Sequence, residues 1–202
     1  SKPLRFDYIS VIALLVSCNK DMQNKPSPIH PEPLFLSDKI KSMMPKEYQF
    51  AKYVVFKNAS NQLKYLNIKY LEHERIHIFD SEKYISESIY VQLSDSTDSR
   101  YYISVSASAA YSNKTTSYQY IIATLTNALN DGLIPMIVIY EDGGGFLASL
   151  IASRDLLDKR FLNVYEISIP SNSFSEIFYT IKEGVVGFRD INNELWVLEK
   201  FE

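Results

Sequence analysis

The stretch RYYISVSASAAY, residues 100–111, constrains the fold more than any other. Ile103, Val105, Ala107 and Ala109 alternate with Ser104, Ser106 and Ser108. A period of two puts each set on one face of a strand, so one face is apolar and the other polar. The same strand-like character recurs from Tyr48 onward, in YQFAKYVVF, LKYLNIKYLEHERIHIF, YVQL, YQYIIATLTNAL, LIPMIVIY and FLASLIA. Between these runs stand KNASNQ, SDSTDS, SNKTTS, NDG and EDGGG, all turn-forming clusters. Strands joined by short polar turns pair antiparallel with their sequence neighbours. The order reads as sequential, without the long crossover of a Greek key. The expectation is a mainly β fold: a single antiparallel meander curled into a half-barrel or lipocalin-like sheet, with a β-sandwich as the alternative. Helix is scarce. SDKIKSMM and SRDLLDKRF each read as a turn or two.

The C-terminal run FSEIFYTIKEGVVGFRDINNELWVLEKF contains three further strands. KEG makes a tight turn in which Gly184 supplies a positive φ, and DINNE makes the next.

The N-terminus has a different character. Lys2 and Arg5 precede an apolar run, Ile9–Val16, interrupted only by Ser10, and the run ends at Ser17 and Cys18. This is the layout of a secretory signal, and the run is too short to span a bilayer as a helix. Pro26, Pro28, Pro31 and Pro33 then fall within eight residues, which favours an extended spacer. His30 lies in that spacer and reads as solvated. The expected organisation is a signal peptide over 1–17, a tether over 18–45 and an antiparallel β domain over 46–202. Cys18 is the only cysteine, so no internal disulfide forms.

Two resemblances attach to these segments. LVSC resembles a lipobox, which implies cleavage before Cys18, lipidation of its thiol and a place in the cell envelope. The following NKD partly resembles the tag of surface lipoproteins in Bacteroidota. The string NVYEI…GVVGF…LWVL resembles the C-terminal half of many uncharacterised Bacteroidota lipoproteins. That likeness covers about a fifth of the chain, and its residues (Gly184, Val185, Phe188, Trp196 and Leu198) read as structural. What it implies is an outer-membrane lipoprotein, periplasmic or surface-exposed.

HERIH, residues 73–77, spells the zinc-peptidase pattern through His73, Glu74 and His77. On a helix the two imidazoles share one face a turn apart. On a strand they stand about 13 Å apart, too far to share one ion. Ile68, Tyr70, Ile76, Ile78 and Phe79 favour a strand, and no N-cap precedes His73. Arg75, Asp80 and Lys83 also depart from the zincin and metzincin patterns. No metal or other cofactor is therefore assigned, and no catalytic residue.

Weaker motifs read as turns. EDGGG at 141–145 lacks the Lys-Ser/Thr of a phosphate loop, and its acids repel phosphate. SDSTDS at 94–99 lacks the Gly and closing Glu of a calcium loop. No G-x-S-x-G is present. A net charge of −3 gives no reason to expect nucleic acid. The 15 tyrosines raise the prospect of an aromatic platform for a flat ligand.

The favoured expectation is a non-catalytic, membrane-anchored module that binds a protein or glycan ligand. A zinc peptidase at His73, Glu74 and His77 and a purely structural envelope component are the alternatives.

Overall fold

A computed structural model describes residues 32–79, 82–95, 101–113, 116–127, 136–171, 174–190 and 192–202. The expected Cys18 and His30 lie outside the described residues, as does most of SDSTDS.

Two short helices open the described chain, α1 (Asp38–Ser42) and α2 (Glu47–Phe50). Strands follow: β1 (Tyr53–Lys57), β2 (Leu63–Phe79), β3 (Glu82–Asp95), β4 (Tyr101–Asn113), β5 (Thr116–Asn127), β6 (Met136–Tyr140), β7 (Gly145–Phe146), β8 (Ser149–Leu156), β9 (Lys159–Ser171), β10 (Phe174–Thr180), β11 (Gly184–Arg189) and β12 (Leu195–Phe201). They form one sheet in the order β7-β6-β5-β4-β3-β2-β1-β12-β11-β10-β9-β8. All the strand pairs are antiparallel, and each strand pairs with its sequence neighbours apart from two places. β1 pairs with β12, Val54 opposite Phe201, and no ladder joins β7 to β8 among the described residues. The meander is therefore a curled half-barrel, as the alternation predicts, with its seam between β7 and β8.

The curl follows from burial. Leu93, Ile103, Val105, Ala107, Ile121, Ala123, Ile137 and Ile139 belong to one buried cluster with residues of β10–β12. β10 crosses over to pack against β5 and β6. Ser104 and Ser106 are only half-buried, on the opposite side from Ile103 and Val105, so the strand's polarity decides which face turns inward.

β10, β11 and β12 do not alternate: Val185, Val186 and Phe188 are all buried, as are Trp196, Val197 and Leu198. The reason is a second cover. The tip of the β8–β9 hairpin folds back over these strands. Arg154 stacks its guanidinium over Phe178 of β10, 5.6 Å from the centroid. Leu156 packs against the Cα of Gly187 in β11, where an added Cβ would come within 3.1 Å of it. Lys159 donates to the Leu198 carbonyl of β12 at 2.7 Å. Asp158 pairs with Lys57 of β1 at 3.4 Å. Strands buried on both faces read as continuous apolar runs.

The hairpin corrects one sequence expectation. SRDLLDKRF is not helix: it is the end of β8, a two-residue turn at Leu157–Asp158, and the start of β9. Leu157 takes φ +53 there, a conformation usually left to glycine. SDKIKSMM does contain a helix, α1, whose N-cap Ser37 accepts from the Ile40 N–H at 3.2 Å.

The packed region also begins earlier than the 46–202 span expected from the sequence. Leu36, Ile40, Met43 and Met44 are buried in the core. Residues 34–53 lie across one end of the half-barrel and touch most of its strands. Leu34 bridges β3, donating to the Ile85 carbonyl and accepting from the Glu87 N–H. Ser37 meets Gln119 and Glu141 at 2.7 and 2.6 Å. The Tyr179 phenol donates to the Met43 carbonyl at 3.0 Å. Lys52 and Tyr53 donate to the Glu202 carbonyl. This segment plugs one end of the sheet.

Candidate binding site

HERIH lies wholly within β2, in register with β3: His73 opposite Ser88, Glu74 opposite Glu87, His77 opposite Tyr84. Four strand steps separate the Cα atoms of His73 and His77 by about 13 Å. His73 is half-buried on the sheet and Glu74 is exposed. Among the described residues no group of three His, Cys, Asp or Glu side chains gathers as a metal site would require. The strand geometry does not assemble the zinc-peptidase arrangement, in which a helix turn brings both imidazoles to one ion.

The EDGGG segment is a turn after β6. The Gly143 N–H donates back to the Tyr140 carbonyl at 2.9 Å, and Asp142 accepts from the Gly144 N–H at 2.8 Å. Gly143 takes φ +86, which explains a glycine there. Its carbonyl accepts from the Tyr165 phenol of β9 at 2.8 Å. Burial and the nearby Asp142 push the Tyr165 phenol up. Tyr165 thereby ties the turn to β9 across the seam.

The tyrosines form pairs. Tyr118 stacks on Tyr120 at 5.4 Å and meets Tyr140 edge-on at 6.3 Å. The Tyr118 ring is inclined 28° to Tyr120 and 70° to Tyr140, so the three rings do not make one flat platform. Tyr70, beside the plug, accepts from Gln49 and donates to Glu72. Burial, with Glu72 adding, pushes its phenol up to about 12. Lys41 pairs with Glu87 at 2.8 Å, and that hydrogen bond raises its pKa. These contacts fasten the plug to β2 and β3.

A sizeable hollow lies elsewhere among the described residues. A cleft of ≈ 930 Å³ opens between the plug, the first residues of β9 and the β10–β11 turn. That volume falls in the range of small-ligand sites. Phe161, Leu162, Leu150 and Ile181 supply its apolar wall, with Arg160 and Lys182 among its charges. Leu162 is 65% exposed and Leu150 is 56% exposed, the largest apolar exposure on the hairpin.

A kink in β9 creates this cleft. β9 pairs with β10 only from Tyr165 onward, opposite Tyr179. Asn163 takes φ +51, which turns the strand out of that ladder. Residues 159–162 then remain paired with β8 but cross over β10–β12. Ala152, facing Asn163 in the same register, makes no ladder pair. Arg160–Asn163 line the cleft, and on the edge away from β8 they make no backbone hydrogen bond among the described residues.

Sequence reading did not find this site. Its lining comes from five separate stretches, and the one local signal, an Asn at a strand corner, is common in ordinary turns. Compared with known proteins, the chain matches no family model, no curated protein and no solved structure.

Proposed function

We propose that the protein is a cell-envelope lipoprotein, anchored through Cys18, that acts as a non-catalytic binding module. The cleft between the plug and β9 is the observation that carries the binding reading: a concave, largely apolar wall of Phe161, Leu162 and Ile181, bearing charges of both signs. The anchoring reading is carried by the order of Lys2, Arg5, the apolar run Ile9–Val16, Ser17 and Cys18. Residues 1–31 precede the plug, long enough to hold both an anchor and a spacer. A catalytic reading has no comparable support, because the one catalytic motif in the sequence lies along a strand.

The test is metabolic labelling with an alkyne-bearing palmitate in a bacterium that possesses the lipoprotein pathway. The full chain takes up the label and sediments with the envelope, while Cys18→Ala loses both. An unlabelled wild-type chain contradicts the anchoring reading.

A further inference from the structure

The cleft has a feature that narrows its ligand: one of its walls is a strand edge. Alternate residues of a strand direct N–H and C=O to opposite edges. Two of the four residues Arg160–Asn163 therefore direct both groups away from β8, along about 10 Å of edge. An edge of this kind pairs with another extended chain, and proteins that do not use one usually shield it with proline, inward charge or a covering loop. Arg160–Asn163 is short and begins with the exposed Arg160, yet it contains no proline, and its exposed apolar residue, Leu162, lies on the cleft wall.

The remaining lining fits the same class of ligand. Lys46, Arg160 and Lys182 stand with Glu47 and Glu183 around the apolar wall. Lys182 pairs with Glu183 at 3.3 Å and Arg160 with Asp155 at 3.8 Å, so the cleft does not present one sign of charge. A lipid tail would leave the strand edge without partners, and a small anion would leave the apolar wall wet. An extended peptide satisfies all three features: backbone on the edge, apolar side chains on Leu162 and Ile181, polar ones toward the charges.

We propose that the cleft is a β-addition site, in which an extended peptide segment of a partner protein pairs with Arg160–Asn163 of β9. This deepens the binding reading and does not depend on the lipid anchor.

A phage-displayed library of random 12-residue peptides, selected against the purified full chain, supplies the probe. Affinity of a selected peptide is read by fluorescence polarisation. Leu162→Glu and Ile181→Glu each weaken binding at least tenfold. Both positions are exposed, so the fold survives, and unchanged Trp196 emission verifies it. Phe50→Ser, at an exposed position outside the cleft, leaves affinity within twofold. N-methylation along the peptide abolishes binding at every second residue, the signature of a strand pairing along one edge. Three results overturn the proposal: no peptide enriched, selected peptides insensitive to both cleft variants, or an N-methyl scan without a period of two. A dimer in sedimentation that Leu162→Glu dissolves also overturns it, by assigning the edge to a second copy of the chain. Lipid labelling of Cys18 is read separately, so loss of the anchor and loss of peptide binding are distinguishable.

Discussion

The Tyr48 phenol stands directly over Gly184, and its oxygen accepts the Val185 N–H at 3.0 Å across 137 positions of sequence. Gly184 takes φ +75, and an added Cβ would collide with the Tyr48 hydroxyl and come within 2.8 Å of Pro45. The plug and the β10–β11 turn are therefore fitted to one another at Gly184. Burial pushes the Tyr48 phenol well up, so it stays neutral, and its oxygen accepts this bond through a lone pair.

Gly184→Ala combines left-handed backbone strain with that collision and destabilises by about 2–4 kcal/mol. Tyr48→Phe leaves the Val185 N–H without its acceptor and costs about 1–3 kcal/mol. Urea unfolding followed by Trp196 emission measures both. A change within 0.5 kcal/mol for Gly184→Ala would show that the plug is not held in this way.

Asp190 organises the β11–β12 turn at the opposite end. Its carboxylate accepts from the Trp196 indole N–H at 2.9 Å and from the Asn192 and Glu194 N–H groups at 2.9 and 3.1 Å. Lys64 lies over the Trp196 ring at 4.5 Å. Asp190→Ala strands these donors and destabilises by about 2–4 kcal/mol. Trp196 emission shifts to the red as the ring gains water. An unchanged spectrum and an unchanged urea midpoint would contradict this role.

The tip of the β8–β9 hairpin carries an acid-sensitive contact. Glu199 accepts from Lys159 at 2.7 Å, and that bond, with Lys57 adding, holds its carboxyl below the ordinary value. A depressed folded pKa contributes stability above the unfolded value of about 4.3, lost as pH falls through the lower folded one. Glu199→Gln lowers the thermal midpoint at pH 7, and the deficit closes at acid pH, once the pH has fallen through the folded value. The effect is small because the group is partly exposed. An equal deficit at both pH values would locate it in packing.

The strand at HERIH predicts no stoichiometric zinc. After dialysis against trace zinc, elemental analysis finds the same background metal in wild type and His73→Ala. One zinc per chain, lost in the variant, would require a different arrangement of β2.

Much of the sheet was legible because burial on one face leaves a period of two. Ile103, Val105, Ala107 and Ala109 are all buried, and Gly184 has the positive φ that KEG requires. The plug was harder to read, although Ile40, Met43 and Met44 follow helical spacing, because a five-residue helix gives too short a pattern. The hairpin tip was misread because Leu157 occupies a glycine-like position and its charged neighbours resemble a helix surface. The cleft left almost no trace: it depends on where Asn163 bends β9, and the contacts that hold the bend lie on β10, β11 and β12.

Hydrogen exchange on the free chain tests the central claim, that β9 leaves β10 at Asn163 and exposes a free edge. The account predicts slow amides throughout β1, β11 and β12, and at least one fast amide within Arg160–Asn163, slowed when the selected peptide binds. Protection of all four amides equal to that of β11 in the free chain would contradict it, since the edge would then already be paired.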